Sequence, residues 1–297
     1  MELSGLHLLL TYKCTCECDH CFVWGGPQQN CTMTLDQVHV ILGQAQALGT
    51  CEWIYFEGGE PFLYYAVLAN GVRAAASAGF KVGIVSNGYW ATGKADALEC
   101  LRPFQGLVQD LSISSDLFHG SEAVSSGARY AFEAAEDLEI PCELISVDVS
   151  GVATPAPEKT ELPICQASVR FRGRAACKLT DRVEFSPWQE FNECPHEDLR
   201  DPGRVHADAY GTVHLCQGLS IGNLFQTPLE EICRDYDPDR HPVIRHLVNG
   251  GPVELFRAYF QPGSETYADA CHLCYETRKT LMNRFPNVLT PPEVYGA

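Results

Sequence analysis

The stretch that decides the reading runs Leu6-His7-Leu8-Leu9-Leu10-Thr11-Tyr12-Lys13-Cys14-Thr15-Cys16-Glu17-Cys18-Asp19-His20-Cys21. Leu6–Leu10 reads as a strand, and a cysteine-rich loop follows it directly. Cys14, Cys18 and Cys21 stand in CxxxCxxC spacing. Thiolates are the usual protein ligands of iron–sulfur clusters. Three of them on one short loop hold three irons of a cube and leave the fourth open to a small molecule. That open iron separates a catalyst from a redox carrier. Short cysteine spacings of this kind also fit a structural zinc site built from CxC and CxxC pieces.

Working outward, short apolar strands alternate with amphipathic helices. Thr34 and Gln37 form a capping-box pattern that opens a helix. Val38, Ile41, Leu42, Ala45 and Leu48 form its apolar stripe, and Gly49 stops it. Further strands are expected at Trp53–Phe56, Lys81–Val85, Leu107–Ile113 and Glu143–Asp148, with a sixth at Val169–Phe171. Helices are expected at Val67–Ala78, Ala95–Leu101 and Gly127–Leu138. Repeated βα units imply a parallel sheet with right-handed crossovers. Five or six units are too few for a closed eight-stranded barrel, so the α/β fold is expected to be a partial (β/α)6, TIM-like barrel. Its ligands should gather at the C-terminal strand ends. Thr154–Pro163, rich in proline and charge, reads as a surface loop.

After Phe171 the rhythm changes. Arg204–Ala207 and Thr212–Cys216 flank Asp208-Ala209-Tyr210-Gly211, a hairpin signal. Helices are expected near Leu229–Asp235, His241–Val248 and Cys271–Phe285. The chain thus divides into residues 1–175, the barrel, and residues 176–297, a small α+β module.

The chain has 297 residues, 45% of them apolar, and a net charge of −17. The acidic residues are spread, and no basic stripe offers itself to nucleic acid. No run approaches the roughly 18 apolar residues of a membrane span. Fifteen cysteines in so long a chain, behind a start with no signal-peptide pattern, point to a reducing, cytoplasmic setting with thiols free for metal. Cys51, Cys100 and Cys142 sit in or beside apolar segments and read as structural.

The cysteine loop resembles the signature of the radical S-adenosylmethionine (SAM) superfamily, CxxxCxΦC after the first strand of a partial barrel. His20 stands in the aromatic Φ position, and Cys16 is an extra cysteine expected not to be a ligand. Gly58-Gly59-Glu60-Pro61 follows the second strand and resembles the family's GGEP motif, which binds the SAM amino group. Glycines allow close approach, and a carboxylate facing an ammonium forms charge-assisted hydrogen bonds. Gly-Gly and Glu-Pro are equally turn signals. Asn87, Ser114 and Asp116 lie at the ends of the third and fourth strands, where family members contact the ribose and methionine carboxylate. The resemblance covers residues 5–150. It implies a [4Fe–4S] cluster, bound SAM and reductive cleavage of SAM to a 5′-deoxyadenosyl radical that takes hydrogen from a substrate. It also implies a reductant such as flavodoxin or ferredoxin.

Cys194, Cys216, Cys271 and Cys274 form a second set. A Gly-x4-Cys strand ending at Cys216, followed by Cys271-His-Leu-Cys274, resembles the SPASM and twitch modules of radical SAM enzymes. The resemblance implies an auxiliary [4Fe–4S] cluster; four thiolates also suit structural zinc. Cys31, Cys165, Cys177 and Cys233 stay unassigned, with Arg172–Cys177 a candidate substrate or cofactor loop. Among the histidines, His119 falls near the barrel mouth. His206 and His214 on the hairpin, and His272 within the CxxC, read as surface or hydrogen-bonded residues.

The resemblance leaves the substrate open between a small molecule, to be oxidised or rearranged, and a peptide or protein side chain. The chain starts almost at its first strand, leaving no room for a preceding peptide-binding domain, which favours the small molecule. A non-catalytic, zinc-stabilised binding protein is the rival reading, and it leaves Gly58–Pro61 without a purpose.

Overall fold

The computed structural model describes residues 1–119, 124–149, 163–261 and 263–297. Six strands, β1 (Gly5–Thr11), β2 (Trp53–Gly58), β3 (Lys81–Ser86), β4 (Asp110–Ser114), β5 (Cys142–Asp148) and β6 (Ile164–Ser168), pair in parallel and in chain order. Helices α1 (Leu35–Leu48), α2 (Tyr65–Ser77), α3 (Lys94–Leu101) and α4 (Ser126–Asp137) alternate with the strands. The reciprocal capping box at Thr34 and Gln37 starts α1, and Gly49, at φ 76°, stops it. There the left-handed conformation favours glycine.

Side-chain alternation explains the partial barrel. Leu6, Leu8, Ile54, Phe56, Val82, Ile84, Leu111, Ile113 and Leu144 are almost wholly buried and join the main core with the helices. The intervening residues are polar: His7, Tyr55, Glu57 and Asp110 are half-buried, Ser112 is buried and Glu143 is exposed. One face is therefore a packed apolar layer and the other a polar concavity. Tyr55 donates to Asp110 at 2.8 Å across this inner face. Gly83 makes room for the Tyr55 ring, because a Cβ there would lie 2.2 Å from it.

The sixth strand lies at Ile164–Ser168, not at Val169–Phe171. Val169 and Phe171 instead pack with Val149, Ala175 and Leu179 in a satellite cluster. Their apolarity serves burial, while β6 is a largely exposed edge strand with little apolar signal. Of the expected loop at Thr154–Pro163, residues 154–162 lie outside the described residues.

The remaining chain forms α5 (Ala175–Lys178), β7 (Ser186–Pro187), β8 (Arg204–Ala207), β9 (Thr212–Cys216), β10 (Leu219–Asn223), α6 (Leu229–Asp235), α7 (Ile244–Tyr259), β11 (Thr266–Tyr267) and α8 (Ala270–Leu281). The β8–β9 hairpin falls at its expected residues. The helix expected at His241–Val248 begins at Ile244 and runs on to Tyr259 through a kink at Gly250-Gly251, just before Pro252. Sequence patterning does not reveal where the hairpin goes. β8 adds in parallel to the free edge of β1, with His7 opposite His206. The nine-stranded sheet therefore runs β10-β9-β8-β1-β2-β3-β4-β5-β6, and β7 pairs separately with β11.

A buried polar knot locks that junction. Asp208 accepts from the Tyr12 hydroxyl at 2.9 Å and lies 3.0 Å from His214 Nε2. It also accepts from the Tyr210 and Thr212 backbone N–H groups. Removing a carboxylate that four groups share leaves several of them unsatisfied. Asp208→Ala should cost about 3–5 kcal/mol, and Tyr12→Phe about 1 kcal/mol, both read from denaturant midpoints. Equal costs for the two would contradict the shared-acceptor role.

Candidate functional site

The site is built at the C-terminal ends of β1 to β4. After β1 the chain turns through Cys14–Cys21. After β2, Gly58 and Gly59 press against that loop's root: Gly59 N–H donates to Thr11 O at 2.6 Å and Glu60 N–H to Lys13 O at 2.8 Å. A Cβ at Gly58 would stand 2.4 Å from Thr11 O, and one at Gly59 would stand 2.2 Å from Lys13 O. Only glycine permits this approach.

Cys14, Cys16, Cys18, His20, Cys21, Glu57, Gly58, Gly59, Ser86, Asn87, Ser114 and His119 line one cavity of about 130 Å3. Of the first expected set, Glu60, Pro61 and Asp116 stand outside this lining. Pro61 is buried in the short helical turn after Glu60. Donors already face the sulfurs: Gly25 N–H lies 3.2 Å from Cys21 Sγ, and Asn87 Nδ2 lies 3.5 Å from Cys14 Sγ. Cys16 sits among the expected ligands. Hydrogen bonds from Cys14 and Cys18 lower its pKa, and the same contacts raise theirs.

Glu60 is fully buried. Its carboxylate accepts from Phe62 N–H at 3.0 Å, Ser86 Oγ at 2.9 Å and Asn87 N–H at 2.8 Å. It thereby ties the end of β3 to the turn after β2. Asp116 is likewise engaged, 2.8 Å from His119 Nδ1 and 3.3 Å from His20 Nε2, and it accepts from Phe118, His119 and Val147 N–H groups. Burial would raise its pKa, but the two imidazoles outweigh that and hold it well below the usual carboxylate range. Asp116 thus orients two rings beside Cys18.

The expected substrate or cofactor loop at Arg172–Cys177 is placed as a clamp. Arg174 donates to Cys18 O at 2.7 Å and Gly25 O at 2.8 Å, while Gly173 fits only as glycine, at φ 61° with a Cβ position 2.5 Å from Cys21 O. Arg172 lies over the Phe22 ring and reaches Cys216 Sγ at 2.9 Å, joining the two cysteine sets.

Cys194, Cys216, Cys271 and Cys274 converge on a second cavity with Arg172 and Arg278. Arg278 is 1% exposed, and no carboxylate pairs with it among the described residues. Its guanidinium donates to Gln217 O at 3.1 Å and points at Cys216 Sγ at 3.9 Å. Burial pushes the Cys274 thiol up to about 12 when no metal holds it. None of the fifteen cysteines is in a disulfide. Cys51, Cys100 and Cys142 pack against the core as expected, whereas Cys165 and Cys177 are exposed.

The histidines are where sequence reading fell short. His206 is not a surface residue of the hairpin: it is buried and turned onto Glu57 at 3.3 Å, with His7 on the other side at 3.3 Å. Burial drives His206 down to about 3. Burial would raise Glu57, but His7 and His206 bring it to about 2. The only signal in the sequence was His7 and Glu57 at strand positions facing away from the apolar layer.

In order along the chain and in place on the barrel, these residues stand where the resemblance to the radical SAM superfamily implied they would. No family model matches the chain. Streptococcus suis SuiB, solved bound to precursor peptide SuiA, shares the fold at TM-score 0.53 and 15% identity, over 91% of this chain and 76% of its own. The structure of anSMEcpe with bound AdoMet and Cp18Cys peptide aligns at TM-score 0.53 and 13% identity, over 96% of this chain and 98% of its own. By sequence, the chain is 27% identical over 125 residues to a putative peptide biosynthesis protein, YydG, of Bacillus subtilis, covering 42% of this chain and 39% of that protein. It is 26% identical over 255 residues to a tungsten-containing aldehyde ferredoxin oxidoreductase cofactor-modifying protein of Pyrococcus furiosus, covering 82% and 68%. No helix among the described residues is long and apolar enough to cross a membrane.

Burial pushes Glu60 from its ordinary 4.5 up to about 7. The folded state therefore keeps a proton that the unfolded chain has released. The stability of protonated Glu60 is fully present below pH 4.5 and lost as pH rises through about 7. Glu60→Gln cannot lose it. Thermal unfolding of both proteins from pH 4.5 to 8 should show the variant gaining on wild type by about 3 kcal/mol. Parallel curves would show that Glu60 is not shifted.

Proposed function

We propose that this chain cleaves SAM reductively at a [4Fe–4S] cluster and uses the resulting radical to modify a peptide or protein side chain. The observation that carries the reading is the single cavity in which Cys14, Cys18 and Cys21 meet Gly58, Gly59, Ser86, Asn87 and Ser114. A cluster with SAM on its open iron supplies one-electron cleavage of the C5′–S bond, giving methionine and a 5′-deoxyadenosyl radical that takes hydrogen from the substrate.

The chain's own residues hold and shield. Cys14, Cys18 and Cys21 are the cluster ligands, and Gly25 N–H and Asn87 Nδ2 donate toward their sulfurs. Such outer hydrogen bonds tune an iron–sulfur site. Gly58 and Gly59 hold the turn after β2 close to the cysteine loop, where side chains would collide with Thr11 O and Lys13 O. Glu60 and Asp116 set the positions of Ser86, Asn87, His20 and His119 around the cofactor. Residues 176–297 form the auxiliary module: Cys194, Cys216, Cys271 and Cys274 hold a second [4Fe–4S] cluster with no open iron. Arg172 and Arg278 balance its charge, and its task is to move an electron. A small reductant protein such as flavodoxin or ferredoxin supplies the reducing electron.

A peptide substrate is supported by SuiB and anSMEcpe, both solved with peptides, and by the peptide-biosynthesis name of the Bacillus relative. The alignment with anSMEcpe over 98% of its length weakens the argument from chain extent that favoured a small molecule. Modification of a small molecule or cofactor is the second reading, favoured by the cofactor-modifying name of the Pyrococcus relative.

Anaerobically reconstituted protein should be brown and, with dithionite and SAM, release 5′-deoxyadenosine. Cys14→Ala should abolish that release, whereas Cys16→Ala should keep it. The reverse pattern would move the ligand set. Replacing Cys271 and Cys274 together should remove about half the iron and leave SAM cleavage in place. Zinc in place of iron after strictly anaerobic purification would overturn the reading altogether.

A further inference from the structure

Below the cysteine loop, on the inner face of the sheet, three side chains from three adjacent strands point at one spot. His7 comes from β1, Glu57 from β2 and His206 from β8. The strand register makes this convergence, because His7 and His206 are paired across β1 and β8. Their candidate ligand atoms all lie within 4.8 Å of one another. His7 Nδ1 stands 3.3 Å from Glu57 Oε2, and His206 Nε2 stands 3.3 Å from Glu57 Oε1.

Both contacts lie at long, ion-pair distances. Of the converging atoms, His7 Nδ1 and Glu57 Oε1 are buried without a well-directed hydrogen bond. Buried polar atoms ordinarily find partners. Three donor atoms converging at such distances are also placed to share one cation. The spacing agrees. Metal–ligand bonds of about 2.0–2.1 Å in a tetrahedral site put ligand atoms about 3.3–3.4 Å apart. The ring of His7 is held by stacking on Tyr55, with centroids 4.5 Å apart and 14° between planes. Arg204 is the cation nearest in sequence to His206, and it is engaged by Glu197 at 3.1 Å.

We propose that His7, Glu57 and His206 form a site for one divalent first-row cation of the zinc class. Two imidazoles and a carboxylate are the donor set of catalytic rather than structural zinc, which keeps a fourth position open. Glu57 also lines the cavity that contains Cys14, Cys18 and Cys21. Through Glu57 the site borders that enclosure, and a substrate oxygen or nitrogen held at the open position would be anchored beside it. The site uses none of the cysteines, so it stands independently of the iron–sulfur reading.

The test uses anaerobically reconstituted protein, incubated with one equivalent of zinc chloride and desalted. Zinc and iron are then counted by elemental analysis. Wild type should retain about one zinc per chain beyond its iron. Glu57→Gln and His206→Asn, made separately, should each weaken zinc retention at least tenfold with iron unchanged. His7→Ala is the third variant, and its retained iron and circular dichroism show that the fold survives. X-ray absorption at the zinc edge should give a shell of nitrogen and oxygen at about 2.0–2.1 Å without sulfur. Zinc lost on desalting wild type, zinc retained equally by all variants, or a sulfur shell at about 2.3 Å would each overturn the proposal.

Discussion

The contact on which everything else depends is the approach of Gly58 and Gly59 to the backbone of Thr11, Tyr12 and Lys13. Two adjacent parallel strands ordinarily splay apart after their last paired residues. Here the ladder continues past them through Gly59 N–H to Thr11 O and Glu60 N–H to Lys13 O. The root of the cysteine loop is thereby held against the turn that carries Glu60. Side chains at either glycine would collide with carbonyl oxygens, which cannot move without breaking the pairing. From this pin, Glu60 reaches across to Ser86 and Asn87, and Asn87 reaches back to Cys14.

A second layer of support comes from the distant segment Arg172–Arg174. It closes over the cysteine loop by backbone and guanidinium hydrogen bonds to Cys18, Cys21 and Gly25. The same segment extends Arg172 to Cys216. One short stretch therefore sets the distance between the two cysteine sets.

The polar inner face distinguishes this barrel from a packed core. The helices are held by the apolar side of the strands, so the inner side is free of that duty and can carry His7, Tyr55, Glu57, Asp110, Ser112 and Glu143. Groups of this kind are costly to bury unless paired. Tyr55 and Asp110 satisfy each other, and Asp116 satisfies the imidazole of His119. Glu57 and its two histidines do not reach that satisfaction among themselves.

The sequence by itself determined what depends on neighbours in the chain. The βα rhythm, the Thr34 capping box, the hairpin at Asp208–Gly211 and the cysteine loop all rest on spacings of a few residues, and local physics acts over that range. The order of the CxxxCxxC loop and the Gly58–Pro61 turn carried the resemblance to the radical SAM superfamily for the same reason. Tertiary structure alone decided three things. It sent β8 to the free edge of β1, a pairing across some two hundred positions of chain that no local pattern encodes. It placed Val169 and Phe171 in a satellite cluster, where apolarity meant burial and not a strand. It also turned His206 inward to face His7 and Glu57. A histidine in a short strand looks the same from its neighbours whichever face it takes, and only the register of the assembled sheet selects that face.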